Sequence, residues 1–483
     1  MVVKENLELD FVKKMIYDEL VEIVGAENVS VSEADKICYS RDAWPKALMW
    51  IDLAKKLPLP DYIVHVENKE QISKILKLAN TRKIPVIPFA GGAGACGQVV
   101  PIHGGIILDV KKMDKILRID EVSATVTAQP GIIGEDLERE LNKRGFTTGH
   151  FPASQYTSCL GGFVACRSAG SLSSKYGKIE DMVISMEVVL PNGEIIRTKT
   201  VPRTSAGPNL NQLFLGSEGT LGVITEVTLR LHPLPEERRF KAFIMKDLKT
   251  GLETVRQIFR KGLRPAVIRL YDELDTVFTL KGKLQIPPGA CYLILAFDGD
   301  KEMVDFEEKQ TTKICLKNEG KEVEKELAEY WWNHRYDMYF PHPDRAKMGL
   351  VADTIDVVTT WDKLEELYYG VKKAITDRHP NVFIMSHFSH FYPEGGSIYI
   401  IFAFQEPDRE KALQMYTEIW NDGLEACHKI GASVAHHHGI GLLRAKWMRK
   451  EHGEEGFKLL QAIKKAIDPN NIMNPGKMGF ESK

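Results

Sequence analysis

The fold of this chain is inferred first from a glycine-rich segment, Ile84-Pro-Val-Ile-Pro-Phe-Ala-Gly-Gly-Ala-Gly-Ala-Cys-Gly-Gln98. Within it, Gly92-x-Gly94-x-x-Gly97 matches the bare pattern of a dinucleotide-binding fingerprint. That fingerprint requires a helix directly after the loop, because the helix N-terminus holds the pyrophosphate. Here Val-Val-Pro-Ile-His-Gly-Gly follows Gln98 and cannot form a first helical turn. The segment therefore argues against a Rossmann site.

The run of glycines still predicts a phosphate-binding loop, with a tight turn that binds no ligand as the alternative. Successive backbone N–H groups of such a run point inward and form a concave nest for phosphate oxygens. Further segments rich in Gly and Ser follow at residues 157–162, 167–177 and 216–224. Gly and Ser let the backbone approach a flat ring closely. Several such loops in one region indicate one long ligand threaded between strands.

The order of these motifs resembles the FAD domain of the vanillyl-alcohol-oxidase / p-cresol-methylhydroxylase (PCMH) superfamily. The matching motifs are Pro85-x-x-Pro-x-x-Gly-Gly92, Gly161-Gly162, Tyr176-Gly-x-x-Glu-Asp181 and Gly216-Ser-Glu-Gly-Thr-Leu-Gly222. The end of the chain, from Asp468-Pro to Asn474-Pro-Gly-Lys477, is similar to the superfamily's usual C-terminus. The resemblance covers about residues 60 to 478.

The resemblance implies an α+β protein with a PCMH-type FAD-binding domain made of two α+β subdomains. An α+β substrate (cap) domain with an antiparallel sheet would follow, and the C-terminal segment would return to the FAD-binding domain. We expect an N-terminal helical segment at 1–57, the FAD-binding domain at 58–235, the cap domain at 236–450 and the returning segment at 451–483. The motif Pro233-Leu-Pro235 marks the central boundary.

The resemblance also implies which residues bind FAD. They are Pro88, Ala90, Gly91, Gly92, Ala93, Gly94, Ala95, Gly97, Gln98, Pro152, Ser154, Thr157, Ser158, Gly161, Gly162, Ser168, Tyr176, Gly177, Glu218, Gly219, Gly222, Val223, Ile224 and Asn474. The family commonly has hydroxyl residues or a His after the paired glycines, where this chain has Ala93-Gly94. Ala93 cannot form the covalent flavin bond that some members make. We therefore expect a dissociable FAD.

A second constellation is the run Ala435-His-His-His-Gly-Ile-Gly441, which we call the histidine loop. A chance polar cluster is one interpretation of His436, His437 and His438. The flanking glycines favour another, a loop held close to a ligand. The near-neutral pKa of histidine suits it to accept the proton that leaves as electrons move to a flavin.

Two families within the superfamily resemble the chain here. Dehydrogenases of D-2-hydroxy acids usually show Glu-His-Gly-Ile-Gly at this place and His-x-Gly-Asp-Gly-Asn-Leu-His upstream, and the Glu and upstream histidines hold a divalent metal. In this chain the Glu position falls on His437 and the second upstream position on Tyr399. Two of three ligands differ, so we expect no catalytic metal. A site made of His387, His390 and His437 is the alternative.

The other family is alkyldihydroxyacetone-phosphate synthase, which exchanges an acyl for an alkyl chain through flavin N5. The similar segments are His436–Gly441, Ile398-Tyr399, Arg269-Leu-Tyr-Asp272, Thr360-Trp-Asp-Lys363 and Arg203-Thr-Ser-Ala-Gly-Pro208. In that family the matching Tyr takes a substrate proton, the histidines support it, and arginines bind phosphate. The resemblance thus implies Tyr399 and the three histidines as catalytic residues, and Arg269, Arg335 and His387 as substrate-binding residues.

Simpler interpretations of two of these residues stay open. Tyr399 would also suit a strand residue packed in a core, and Arg269 would suit a partner of Asp272. Three functions therefore remain: a synthase of this kind, an oxidoreductase of a small D-2-hydroxy acid that passes electrons to a protein acceptor, and a flavoprotein subunit without its own substrate chemistry.

Bulk composition excludes other classes. The net charge is −2 with 27% charged residues, so nothing favours a nucleic-acid partner. No apolar run approaches the roughly 18 residues of a membrane span, and neither end shows a secretory or peroxisomal signal. The seven cysteines lack metal-like spacing. We expect a cytoplasmic homodimer with a small or lipid-like phosphorylated substrate and peripheral membrane contact at most.

Local patterns predict several elements. Strands are expected at Tyr62–Val66, Ile84–Pro88 and Val183–Leu190, the last followed by a hairpin turn at Pro191-Asn-Gly193. A long helix is expected at Glu302–Glu329, and the final segment, Glu455–Met478, is expected to be a helix that runs into Asp468-Pro and Asn474-Pro-Gly-Lys477.

Overall fold

A computed structural model describes residues 2–53, 57–337 and 349–480, and at residues 2–10 and 52 it describes the backbone alone. The described part forms three main sheets. The first two belong to the FAD-binding region and the third to the cap. The α+β prediction is confirmed, and so are the division into a PCMH-type region and a cap with an antiparallel sheet.

The first sheet has the order β1-β2-β4-β3. Its strands are Val29–Ser30 (β1), Tyr62–His65 (β2), Val86–Phe89 (β3) and Ile106–Asp109 (β4). Strands β2 and β3 both run parallel to β4, and β1 pairs with β2 in the antiparallel sense. The helix Lys69–Arg82 joins β2 to β3 and buries Ile72, Ile75 and Leu76. Such a crossover is what a parallel pair requires.

The N-terminal segment packs onto this first sheet. Its helices are Val2–Val24, Glu33–Cys38 and Pro45–Asp52, with a short 3₁₀ turn at Ala26–Asn28. Ile16, Leu20 and Val24 lie in the same core as Ile72 and Leu76 of the crossover helix. The helix Val2–Val24 and β1 therefore belong structurally to the first subdomain, whereas the helix Pro45–Asp52 places Met49 in the core of the cap.

The second sheet has the order β5-β6-β10-β8-β9 and is antiparallel. The strands in this region are Ile116–Asp120 (β5), Thr125–Ala128 (β6), Phe146–Thr147 (β7), Val183–Val189 (β8), Ile195–Arg197 (β9), Val223–Arg230 (β10) and His232–Pro233 (β11). The β7 and β11 strands form a separate pair. The helices are Gly134–Asn142, Leu160–Cys166, Ser173–Tyr176, Ile179–Met182 and Asn211–Phe214.

The predicted hairpin between β8 and β9 is confirmed. Leu190 N–H donates to Glu194 O over 2.8 Å, and Gly193 has φ +80°. That positive φ is the conformation a tight hairpin turn requires, and glycine adopts it without a steric cost.

The cap contains seven antiparallel strands in the order β15-β12-β14-β13-β17-β18-β16. They are Glu237–Met245 (β12), Val267–Tyr271 (β13), Cys291–Gly299 (β14), Lys321–Val323 (β15), Leu350–Thr360 (β16), Phe383–Ser389 (β17) and Gly395–Gln405 (β18). The cap helices are Leu248–Arg260, Glu273–Leu280, Lys301–Lys317, Glu326–His334, Leu364–Arg378 and Arg409–Ile430, with a 3₁₀ turn at Trp361–Lys363.

The two faces of the cap sheet have different roles. Leu270, Phe388, Ile398 and Val357, on four neighbouring strands, lie in one large apolar core with the cap helices. Since side chains alternate along a strand, the residues next to these four point to the opposite face. That opposite face carries the polar residues of the site described below.

The predicted helix Glu302–Glu329 is wrong as a single element. The first helix ends at Lys317, Glu319 adopts φ +61°, and Gly320 N–H bonds to Cys315 O over 2.9 Å. This left-handed turn reverses the chain into β15, and a new helix starts at Glu326. Continuous helical periodicity hid the turn.

The last helix of the chain runs into Asp468-Pro469, as predicted. The observed helix spans Met448–Ile467, preceded by a 3₁₀ turn at Ala445–Trp447. It ends at Asp468 before Pro469, which has no N–H to continue it. Beyond it, Met473 forms a bridge with Val86 of β3. The segment returns to the FAD-binding region, as expected.

Buried Lys464 fastens this returning segment. Its ammonium donates to Asp468 Oδ2 at 2.5 Å, to Thr220 O at 2.8 Å and to Met473 O at 2.9 Å. We expect Lys464→Met to lower the free energy of unfolding by about 3 to 5 kcal/mol, because it leaves a buried carboxylate unpaired. Urea unfolding measures this. Lys465→Met, on the exposed neighbour, should change stability by less than about 0.5 kcal/mol, and equal losses in the two variants would refute the role of Lys464.

Candidate active site between the glycine loops and the cap sheet

The glycine loop, residues 90–98, follows β3 and leads to no helix, as the sequence predicted. Gly92 and Gly97 have φ values of +61° and +78°. A Cβ at Gly91 would lie 2.3 Å from Thr157 O. The glycines therefore permit both the left-handed backbone and the close packing of this loop on the segment that contains Thr157.

Two of the other predicted segments, 157–162 and 216–224, lie beside the glycine loop. Gly161, in the first turn of the helix Leu160–Cys166, packs on Pro130. The neighbouring Gly162 faces open space. Gly219 has φ +71°, and a Cβ there would lie 2.9 Å from the ring of Pro88 at the end of β3. The predicted loops thus converge at the carboxyl ends of β3 and β4, where open α/β sheets bind ligands.

A cavity of about 560 Å³ opens between the glycine loop, the segment that contains Thr157 and Cys159, and the helix Gly134–Asn142. It is lined by residues that include Gly91, Lys111, Ile133, Thr157 and Cys159. Its size falls within the usual range of ligand sites, roughly 300 to 1,000 Å³.

Buried polar atoms without a protein partner occur in the same region. They are both amide atoms of Gln155, His150 Nδ1 and Asn474 Oδ1. Buried polar groups almost always have a partner, so these orphans indicate that a polar ligand completes the region. Together with the converging glycines, they fit an FAD. The glycine loop and the segments at 157–162 and 216–224 would hold it.

Three residues predicted to bind the cofactor use their side chains on the protein itself. Gln98 Nε2 donates to His438 O at 2.6 Å. The Glu218 carboxylate accepts N–H bonds from Ile440 and Gly441. Asn474 Nδ2 donates to the carbonyl oxygens of Gln98 and Glu218. These three residues shape the cradle and join it to the histidine loop.

The histidine loop is held by one buried carboxylate that the sequence analysis missed. Asp356 Oδ2 accepts the backbone N–H of His436, His437 and His438 at 3.1, 2.7 and 3.0 Å. Asp356 Oδ1 accepts from fully buried Arg444. The guanidinium of Arg444, with the neighbouring histidines, holds the pKa of Asp356 well below its ordinary value despite burial. The only signal in the sequence was an Asp between apolar neighbours, Ile355 and Val357, in β16.

Asp356 belongs to a polar row across the cap sheet. Tyr271 on β13 pairs with His387 on β17, His387 with Tyr399 on β18, and Tyr399 with Asp356 on β16. The rings of His387 and Tyr399 stack with centroids 4.9 Å apart. Register alone brings together residues that are far apart in the sequence.

Asp356 also contacts the side chain of His438. His438 Nδ1 lies 3.1 Å from Asp356 Oδ1. A carboxylate at Nδ1 selects the tautomer with the proton on Nδ1 and leaves Nε2 as an acceptor. The His438 ring is edge-on to Tyr399, with centroids 5.4 Å apart. Tyr399, His438 and Asp356 therefore form a polar constellation suited to proton transfer.

The other histidines form a hydrogen-bonded group. The Nδ1 atoms of His436 and His437 lie 2.9 Å apart, and Tyr392 OH lies 2.9 Å from His436 Nε2. His390 Nδ1 lies 2.7 Å from Ser173 Oγ. Burial lowers the pKa of His436 and His437 well below the usual value and that of His390 to about 3. These three histidines are neutral at pH 7.

Tyr399 is half-buried among these residues. Burial raises its pKa above the ordinary value, and a Thr354 hydrogen bond and the charge of Arg269 oppose the rise only in part. A phenolate at Tyr399 would need a nearby positive charge to stabilise it. Neutral His436 and His437 cannot supply that charge. Arg269 remains the cation that lowers the pKa of this phenol.

The two predicted substrate arginines lie among aromatic rings. Arg269 Nε donates to Tyr271 OH at 2.8 Å, and its guanidinium lies 5.4 Å from the Trp331 ring. Arg335 lies 3.6 Å from the Trp332 ring, and burial lowers its pKa. Within the described ranges 2–53, 57–337 and 349–480, neither arginine forms an ion pair with a carboxylate.

Asp272, the alternative partner of Arg269, does not pair with that arginine. Asp272 instead caps the helix Glu273–Leu280 through Asp275 N and accepts from Tyr368 OH at 2.9 Å. His387, the third predicted substrate residue, lies 3.2 Å from Asp275 Oδ2 and is buried. Its pKa is lowered well below the usual value by burial, and the charge of Arg269 contributes.

The fold and site together define a PCMH-type flavoprotein. A family model for the FAD binding domain matches residues 60–199, and one for the C-terminal domain of FAD linked oxidases matches residues 234–478. The chain belongs to the FAD-linked oxidase family. It binds FAD, and it does so non-covalently. None of the helices in the described part of the chain is long and apolar enough to cross a membrane.

Relatives in this family have different names and functions. The chain is 34% identical over 481 residues to the uncharacterized FAD-linked oxidoreductase YgcU of Escherichia coli (strain K12), covering 95% of this chain and 97% of that one. It is 31% identical over 493 residues to the alkyldihydroxyacetonephosphate synthase of Caenorhabditis elegans, covering 94% and 82%. It is 30% identical over 481 residues to the glycolate oxidase subunit GlcD of Bacillus subtilis (strain 168), covering 97% of both.

A solved structure agrees with these matches. An alkyldihydroxyacetonephosphate synthase superposes with a TM-score of 0.79 at 26% identity, covering 96% of this chain and 84% of that one. Relatives with different reactions match at similar identity. Overall similarity therefore does not distinguish between these reactions, and the residues of the site have to.

We expect a valine at Gly92 or at Gly219 to prevent the glycine loops from binding FAD. Gly92→Val places a branched side chain at φ +61° against Phe89, and Gly219→Val does so at φ +71° against Pro88. Each variant should lose FAD, because β-branched residues rarely adopt φ above zero. The ratio of flavin to protein absorbance measures the loss. Gly145→Val, at φ +76° with no atom within 4 Å, controls for strain alone, and full flavin occupancy in the two cradle variants would contradict the placement of the cofactor.

The absence of a catalytic metal remains a prediction. His390, His436 and His437 place one nitrogen each within 4.8 Å of the others, so His436 replaces His387 in the alternative site weighed above. His436 and His437 are already hydrogen-bonded to each other. We expect elemental analysis of purified protein to find less than stoichiometric metal and EDTA to leave turnover unchanged. One bound metal per chain, together with activity lost on chelation, would overturn this prediction.

Proposed function

We propose that the chain is an FAD-dependent enzyme resembling alkyldihydroxyacetone-phosphate synthase, which exchanges the acyl chain of an acyl-dihydroxyacetone phosphate for a fatty alcohol. The observation that carries the proposal is the constellation of Tyr399, His438 and Asp356 on the polar face of the cap sheet, with Arg269 in the same pocket. The flavin, when bound, would supply the reactive N5 atom.

The proton-transfer step follows from the charges in the site. A substrate proton has to leave, and a base within hydrogen-bond reach has to accept it. Tyr399 is protonated at pH 7 because burial raises its pKa. It therefore accepts a substrate proton only as it passes its own proton on. The Nε2 atom of His438 is the acceptor, because Asp356 holds the proton of that ring on Nδ1.

Substrate binding is assigned to Arg269 and Arg335, neither of which has a carboxylate partner among the residues that the structure describes. A half-buried guanidinium without a carboxylate partner favours an anionic ligand, and its planar fork suits phosphate. Arg269 lies beside Tyr271, which belongs to the row that contains Tyr399. Arg335 lies at the end of the cap helix Glu326–His334, among aromatic rings. The two cations support a phosphorylated or carboxylated substrate with an apolar part.

The second candidate function is oxidation of a small D-2-hydroxy acid, with electrons passed to a protein acceptor. The similarity to GlcD and the close grouping of His390, His436 and His437 favour it. A flavoprotein subunit without substrate chemistry is disfavoured by the assembled Tyr399 constellation. Two assays separate the candidates. Only the dehydrogenase would show anaerobic bleaching of flavin absorbance by D-lactate or glycolate, and only the synthase would release fatty acid when acyl-dihydroxyacetone phosphate and a fatty alcohol are both supplied.

We expect Tyr399→Phe and His438→Ala to keep FAD and lose turnover by roughly 10²-fold or more, the usual scale of losing a general base. Steady-state kinetics with the substrate identified above measure this. Tyr292→Phe is the matched control, because the buried Tyr292 hydroxyl has no hydrogen-bond partner and its loss should leave turnover unchanged. Near-normal turnover of Tyr399→Phe would remove this residue from the mechanism.

We expect Arg269→Lys to act on binding more than on chemistry. An ammonium does not reproduce the bidentate grip of a guanidinium on phosphate. KM should therefore rise about tenfold or more, while kcat falls less. A variant in which kcat falls and KM stays constant would place Arg269 in the chemical step.

A further inference from the structure

The histidine loop is attached to the FAD-binding domain as well as to the cap sheet. Leu442 N–H donates to Cys96 O of the glycine loop at 2.9 Å. Ile440 and Gly441 donate their N–H groups to the two carboxylate oxygens of Glu218 at 2.6 and 2.8 Å. The loop that carries the catalytic histidines is therefore bonded directly to two of the cofactor loops.

Glu218 is buried and its backbone is strained, and its carboxylate bonds to the histidine loop. It is 5% exposed and has φ +49°, a conformation uncommon for a residue with a side chain. Its carboxylate forms no ion pair with any residue that the structure describes, and its partners are the two loop amides. Burial raises its pKa to about 7, and Lys477 and Arg444 oppose that rise. A buried carboxyl with a strained backbone is costly unless its bonds are needed.

The position of this carboxylate follows the cofactor loop that contains it. The Glu218 carbonyl accepts from Asn474 Nδ2 at 2.7 Å, and the next residue, Gly219, packs on Pro88 at the end of β3. On the other side the fit is equally close. A Cβ at Gly439 would lie 2.3 Å from Glu218 Oε1. A shift of the 216–222 loop would therefore displace the histidine loop.

We propose that Glu218 is a positioning residue that transmits occupancy of the FAD cradle to the histidine loop. FAD bound along residues 216–222 orders that loop, and the ordered carboxylate holds the Ile440 and Gly441 amides, so that His438 stays edge-on to Tyr399. Ordering of one segment that lowers the cost of ordering another couples the two, and the coupling is reciprocal. The catalytic part of this inference rests on the proposed function.

Hydrogen exchange of the full-length protein with and without FAD tests the coupling. In the wild type, FAD should slow exchange of the amides at 438–442 by about tenfold or more, the scale of one hydrogen bond to a charged group. In Glu218→Gln the amide offers one acceptor and turns an NH₂ group towards the other loop N–H. FAD should still bind, but it should slow exchange by less than about twofold, and turnover at saturating FAD should fall about tenfold.

Glu138→Gln is the matched control. Glu138 is also buried and accepts a backbone N–H, that of Thr148 at 2.7 Å, but it lies away from the histidine loop. This variant should lose stability and keep the FAD-dependent slowing at 438–442. Glu218→Asp, one methylene shorter, takes the place of Glu218→Gln if that variant does not fold.

Two results would overturn the inference: FAD-dependent slowing in Glu218→Gln equal to that of the wild type, and no slowing in the wild type. The exchange measurement requires FAD and no substrate. A wrong assignment of the reaction would therefore change the turnover result and leave the exchange result standing.

Discussion

The buried carboxylate of Asp356 is the constraint on which the candidate active site depends. It accepts three consecutive backbone N–H groups of the histidine loop, is paired with Arg444, and lies beside the ring of His438. A carboxylate without solvent is costly, and such a pair is tolerated only when further hydrogen bonds satisfy its remaining lone pairs. Here the loop backbone satisfies them. The same interaction therefore solvates the charge and fixes the positions of three histidines.

The histidine loop is fastened from two sides. Asp356 holds its first half from the cap sheet, and Glu218 holds its second half from the FAD-binding domain. The glycines at 439 and 441 are explained by this arrangement, since a Cβ at Gly441 would lie 2.1 Å from Cys96 O. The loop is therefore bonded to both domains.

Before an anion enters, the site carries the positive charges of Arg269 and Arg335 beside neutral histidines and a protonated tyrosine. Burial keeps His436 and His437 neutral and Tyr399 protonated, while Arg269 and Arg335 lie without carboxylate partners among the described residues. A low local dielectric strengthens the attraction between such arginines and an anionic substrate. Binding of that anion also reduces the positive field of Arg269 at Tyr399, so substrate binding and the acidity of the phenol are linked.

The sequence by itself determined the local features: the glycine loop without a following helix, the β8–β9 hairpin, the α+β class and the approximate places of most elements. Glycine, proline and short-range periodicity act within a few residues, so they can be interpreted without the rest of the chain. The tertiary structure alone decided which distant residues meet. Strand register placed Tyr271, His387, Tyr399 and Asp356 in one row, and burial lowered the pKa values of His436 and His437, which keeps these two neutral. Register and burial depend on contacts between segments that are far apart in the chain, and no local pattern contains them.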